Sequence, residues 1–248
     1  MVPDDINTTR KQARAAGLLY FVLGLIAPIG LEYVPGKLYV PGDAAATANH
    51  IRASETLLRI GIASELVHQV IGIFLVLALY RLFKSVNETQ AKQLVILGAL
   101  VSVSIVFLNV LNEIAALIVV SGADYLSAFD RRQLDALAFL FMRLHGQGII
   151  IASIFWGLWL FPFGMLVIRS RFIPRVLGVL LMIAGSGYLA SAFAAVLLPR
   201  YAHRVGLYTF PLELGELPII FWLLIWGAKE QRSTIVAGPV GLKSLPRV

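Results

Sequence analysis

Glu65 and His68 stand three residues apart in Ser64-Glu65-Leu66-Val67-His68-Gln69, and Glu213 and Glu216 repeat that spacing near the other end of the chain. Residues three apart share one face of a helix. A carboxylate beside an imidazole can hold zinc or iron, and helical bundles build such centres from Glu-x-x-His pairs on facing helices. Further groups of the same kind are Asn109, Asn112 and Glu113, then Arg143, His145 and Gln147, with Arg59 upstream of the first pair. By residue type the metal candidates are Glu65, His68, His145 and Glu216. Glu213 or Glu113 would then serve as general base beside a metal-bound water. The pattern is incomplete as a metal signature, because the chain has one Glu-x-x-His where a di-iron bundle has two, no H-E-x-x-H and no cysteine. No cofactor is specified by these residues. The structural alternative is that Arg59, Arg143 and the glutamates pair internally while Asn109, Asn112 and Gln147 bridge helices as polar glue.

The background in which these groups sit decides the class of protein. Hydrophobic residues make up 58% of the 248 and charged residues 14%, against roughly 45–50% and 25% in an average soluble domain. Mean hydropathy is +0.82. A soluble core of this size cannot absorb that much apolar surface. This excludes a secreted domain, a cytosolic enzyme and a nucleic-acid reader, and makes the lipid bilayer the first partner. The net charge of +7 has its source in basic residues that hold helix ends at the membrane surface.

A helix needs about 20 apolar residues to cross the hydrocarbon layer. Six stretches qualify: Ala15–Gly36, Thr56–Leu82, Leu94–Ser121, Leu137–Ile168, Ile173–Leu198 and Leu207–Ala228. The expected fold is an all-α, polytopic membrane bundle of six transmembrane helices arranged as three hairpins. Residues 1–14 form an N-terminal tail, 15–228 the membrane domain and 229–248 a loosely ordered C-terminal tail. Counting Lys and Arg in the connecting segments puts 13 on the side of the two termini and six on the other. That bias places both termini in the cytoplasm, with the bacterial cytoplasmic membrane as the expected location. On the opposite side, Pro41-Gly42-Asp43 reads as a turn into an Asp-capped helix over Ala44–His50. Asp124–Ala136 suits either a short helix lying at the interface or a covering loop.

Depth along each helix follows from the rise of about 1.5 Å per residue. Glu65, His68, Asn109, Glu113, Arg143, His145, Glu213 and Glu216 all fall in the outer half of the bilayer or near its middle. The inner halves of the same helices are apolar and aromatic, with Trp156 and Trp159 in one and Trp222 and Trp226 in another. Ionisable groups in membrane helices are costly and face the bundle interior or a wet cavity. The expectation is an outward-facing polar pocket closed below by an aromatic plug. Gly185-Ser186-Gly187 reads as a close helix-packing patch rather than a nucleophile.

Several segments carry a family likeness. Arg10-Lys11-Gln12-Ala13-Arg14-Ala15-Ala16-Gly17-Leu18-Leu19-Tyr20, Val40-Pro41-Gly42-Asp43-Ala44-Ala45-Ala46-Thr47-Ala48, Leu144-His145, Ile173-Pro174-Arg175-Val176-Leu177-Gly178 and Gly215-Glu216-Leu217 resemble a bacterial membrane family termed domain of unknown function 4386. The resemblance implies a multi-helix integral membrane protein and brings no activity with it. It marks His145 and Glu216 as the polar residues to test first.

Three functions fit these observations. One is a protein that binds or moves a small polar or amphipathic ligand, such as a lipid, in its polar pocket, with a second copy of itself as a partner. Another is an accessory subunit of a membrane complex, whose polar cluster only locks its own helices. The last is an intramembrane metal-dependent enzyme.

Overall fold

The apolar runs fold into six helices long and apolar enough to cross a membrane: Asn7–Leu38, Glu55–Phe83, Glu88–Val120, Arg131–Ser170, Arg175–Leu197 and Ala202–Ile225. They are numbered first to sixth in chain order. The computed structural model describes residues 6–229, and no strand occurs among them. The expected C-terminal tail beyond Lys229 lies outside the described residues. The first helix begins at Ile6, so residues 6–14 continue the first span without a break.

The start of the first helix, Lys229 and the turns at Lys84 and Arg171 lie at one end of the bundle, the near end. The far end carries the segments 39–54, 121–130 and 198–201. There Asp43 caps the helix Ala44–Ala53 by accepting the Ala46 amide at 2.8 Å, as its position in the sequence leads one to expect. Asp124–Ala136 does not form an interfacial helix. Asp130 and Gln133 make a capping box, which satisfies amides at the start of a helix. The fourth helix therefore begins at Arg131, leaving only a single 3-10 turn at Asp124–Leu126. It runs for 40 residues, or about 60 Å against a hydrocarbon thickness of about 30 Å. Its start is tied to the helix Ala44–Ala53 by Arg52, whose guanidinium meets Asp135 at 2.5 Å; Arg131 adds a second contact at 3.4 Å.

Each helix packs on its neighbours in sequence, and the lower half of the sixth returns to the first, closing a ring. Glycines set the spacing. Gly157 faces Gly185 and Gly164 faces Gly178; a Cβ on any of the four would lie 2.5–2.8 Å from the opposing carbonyl oxygen. The fourth and fifth helices thus touch backbone to backbone, as small residues allow in membrane bundles. Gly187, on the other side of Ser186, packs on Thr209, Leu212 and Glu213 of the sixth helix.

Two helices carry π turns, at Ile29–Tyr33 just after Pro28 and at Val95–Val101. Each π turn inserts one residue and rotates the helix beyond it, a feature frequent at functional sites. The sixth helix is broken by a 3-10 turn at Leu214–Glu216, between Pro211 and Pro218. Its upper part packs on the fifth helix and its lower part on the first.

Beneath mid-span the interior is an aromatic column. Tyr20, Trp159 and Phe163 lie with ring centroids 5.6–6.4 Å apart, and Phe83 links Phe163 to Phe172 at 5.9 and 5.8 Å. Around it pack Leu79, Leu160, Leu166, Leu181 and Ile219, all fully buried. Leu25, Phe74, Leu100 and Leu108 stand on the outer surface with more than half of their area exposed, the apolar exterior that a lipid-facing bundle requires.

Candidate functional site

The polar side chains inside the spans divide into two groups. The first joins the second, third and fourth helices. His145 Nε2 lies 3.2 Å from each carboxylate oxygen of Glu65 and 3.9 Å from Glu113 Oε2. All three residues are buried, at 2%, 0% and 3% exposure for Glu65, Glu113 and His145. Asn109 donates from Nδ2 to the His145 carbonyl at 2.9 Å, bonding a side chain of the third helix to the backbone of the fourth. Asn112 in turn donates to Asn109 Oδ1 at 3.1 Å. Two glycines shape the walls. A Cβ on Gly30 would lie 2.6 Å from Glu65 Cγ, and one on Gly148 would lie 2.7 Å from Asn109 Nδ2. These positions have room for no side chain. Both carboxylate oxygens of Glu113 and Oε1 of Glu65 are buried without a hydrogen-bond partner among the described residues.

The second group borders a cavity of about 280 Å³ at mid-span. Its wall is largely apolar, and its polar side chains are Tyr20, His68, Gln69, Ser102, Tyr188, Glu213 and Glu216, drawn from five of the six helices. Tyr20 donates its hydroxyl to Glu216, so the first helix is bonded to the sixth at the point where the sixth breaks. His68 Nδ1 pairs with Gln69 Nε2 at 2.8 Å. Trp156 and Trp159 supply an indole wall on the side of the fourth helix, and Trp159 also heads the aromatic column. Gly24, Phe210, Leu214 and Leu217 line the cavity while being exposed on the outside of the bundle. The cavity is therefore open sideways, between the first and sixth helices.

Of the residues singled out by type and spacing, Glu65, Glu113 and His145 converge, with Asn109 and Asn112 beside them, while His68, Glu213 and Glu216 border the cavity. The residues expected to line one outward-facing pocket thus fall into two groups, and the cavity opens sideways. His68 and Glu216 fall outside the cluster formed by Glu65 and His145; Glu113 takes their place. Arg59 is on the surface, paired with Glu55 at 2.6 Å, and borders a separate groove between the second and third helices. Arg143 and Gln147, four apart, are both exposed.

The family described as domain of unknown function 4386 matches residues 15–227. The chain belongs to that family. It is also similar to an uncharacterized protein of Archaeoglobus fulgidus (strain ATCC 49558 / DSM 4304 / JCM 9628 / NBRC 100126 / VC-16), with 38% identity over 89 residues, covering 36% of this chain and 51% of that one. The match thus spans about half the length of that relative. No solved structure matches the chain.

In this member of the 4386 family, His145 and Glu216 fall one in each site. The polar cavity residues that sequence reasoning did not single out are Tyr20, Gln69, Ser102 and Tyr188; Trp156 and Trp159, expected in the aromatic plug, form its indole wall. Tyr20 closes the N-terminal run that carries the family likeness, which is the one signal that could have drawn attention to it. Tyr188 follows the Gly185-Ser186-Gly187 patch and has no distinguishing neighbour in sequence.

Proposed function

We propose that this chain binds a small amphipathic cation in the mid-span cavity, its charged head against Glu216 and Glu213 and its apolar part between the first and sixth helices. The observation that carries this reading is the composition of the wall. Two carboxyl groups and the rings of Tyr20, Trp156, Trp159 and Tyr188 border the cavity, and among the described residues no Lys or Arg does. Aromatic faces attract cations through their ring quadrupole, most strongly where water is excluded. The volume of about 280 Å³ sits at the lower edge of the roughly 300–1,000 Å³ of ligand sites. It suits a short alkylammonium or the ammonium end of a lipid with its chains left outside. The Lys and Arg bias supports a bundle with its termini in the cytoplasm, which puts the far end outside the cell.

The test is thermal melting of the full chain in mild detergent, with decyltrimethylammonium and with decanoate as probes. The reading expects a rise in Tm with the cation alone, lost in Glu216→Gln, and an alkylammonium or aminolipid adduct in native mass spectra. An equal response to both probes, or an unchanged response in Glu216→Gln, overturns it. A bare chain carrying a stoichiometric second polypeptide would favour the subunit reading.

A further inference from the structure

Away from the cavity, we infer that Glu65, Glu113 and His145 form a divalent-metal site that clasps the second, third and fourth helices together. Each residue offers one donor atom, and these atoms lie within 4.8 Å of one another. Metal–ligand bonds of about 2.0–2.1 Å in a tetrahedron set donor atoms about 3.4 Å apart. The separations of 3.2 and 3.9 Å from His145 Nε2 to Glu65 and Glu113 bracket that value. From 3.9 Å, a shift of about 0.5 Å in the Glu113 side chain would bring its oxygen to that spacing from His145 Nε2.

Charge and hydrogen bonding call for a cation at this point. Two carboxyl groups are buried side by side, and among the described residues three of their four oxygens have no hydrogen-bond donor. Burying an ionised carboxylate without a partner is among the costliest arrangements in a protein. The nearby arginines do not supply the missing charge. Arg59 is paired with Glu55 at the surface and Arg143 is exposed. A dication balances two carboxylates and leaves the imidazole neutral, the form in which it ligates. The oxygen–oxygen–nitrogen donor set suits zinc, manganese(II) or iron(II), and the imidazole disfavours magnesium and calcium.

The surroundings are built to hold these donors still. Asn109 bonds the backbone carbonyl of His145 itself, while Gly30, in the π turn of the first helix, lies against the Glu65 stem. None of the three donors borders the cavity, so this site and the proposed ligand site stand or fall separately.

The experiment strips the purified full chain with EDTA and titrates it with zinc, and with manganese in a second series. Bound metal is read by elemental analysis and Tm on the same samples. The expected result is one ion per chain and a higher Tm that EDTA reverses. Glu113→Gln and His145→Gln should each weaken binding by more than the roughly 10–100-fold typical of losing an outer-shell partner. His68→Gln and Glu216→Gln should keep the ion. Substoichiometric metal with no change in Tm in the wild-type chain overturns the site by itself, even if both cluster variants fail to fold. Undiminished uptake in a folded Glu113→Gln, His145→Gln double variant overturns it as well.

Discussion

Gly17 of the first helix lies directly against the backbone of Leu224 in the sixth. A Cβ on Gly17 would sit 2.6 Å from the Leu223 carbonyl carbon and 2.8 Å from Leu224 Cα. This is where the ring of six helices closes. The obstacle is main chain on both sides, so no rotamer change can make room. Gly17→Ala should therefore destabilise the bundle by about 1–3 kcal/mol, the usual cost of overpacking. Gly24, two turns further along the same helix, has nothing within 4 Å of its would-be Cβ. Gly24→Ala should leave stability unchanged or raise it by up to about 1 kcal/mol through the better helix propensity of Ala. Thermal melts of the two variants in one detergent make the comparison; equal losses would contradict a backbone contact at Gly17.

The capping box of the fourth helix gives a second expectation. Asp130 accepts the Gln133 amide at 2.9 Å, and the Gln133 side chain returns a bond to the Asp130 amide at 2.9 Å. Asp130→Ala should cost about 1 kcal/mol and fray the first turn, where Arg131 and Asp135 meet. Protease nicking near residue 130 should rise, and Asp130→Asn should restore most of the protection.

Trp222 leads to a prediction of the opposite sign. Its Nε1 is buried with no acceptor among the described residues, while its ring stacks on Trp226 at 5.0 Å and lies under Lys229 Nζ at 4.5 Å. Trp222→Phe removes the orphaned donor and keeps an aromatic face. It should be neutral or stabilising, whereas Trp222→Ala should cost about 3–5 kcal/mol as large aromatic truncations do. A loss of Tm in the Phe variant as large as in the Ala variant would show that Nε1 has an acceptor.

The absence of cysteine from the whole sequence makes orientation directly measurable. Ser85 and Ser127 are exposed at opposite ends of the bundle. With the termini in the cytoplasm, Ser127→Cys should react with an impermeant maleimide in intact cells, and Ser85→Cys only after lysis. The reverse pattern would invert the assignment made from Lys and Arg.

Class, helix number and hairpin order were legible in the chain because they depend on composition and run length. The Asp43 cap was equally legible, since a cap is local. The partition of the polar residues was not. The rise per residue gives depth, and depth alone suggested one pocket. Which way a side chain points depends on rotation, at about 100° per residue. His145 faces the interior while Arg143 and Gln147, two positions either side and about 200° round, face outward. The π turn at Ile29–Tyr33, which holds the Gly30 that lies against Glu65, compounds this by shifting the register of the first helix beyond it. No pattern in the sequence announces such an insertion.

The break at Leu214–Glu216 sends the two halves of the sixth helix to different neighbours, so the ring is sealed below and parted above. The opening past Gly24, Phe210 and Leu217 then meets acyl chains rather than bulk water. Molecules reaching the interior by that route arrive through diffusion in two dimensions. How full the cavity is would track the mole fraction of a compound in the surrounding leaflet, and so its oil–water partition coefficient, more closely than its dissolved concentration.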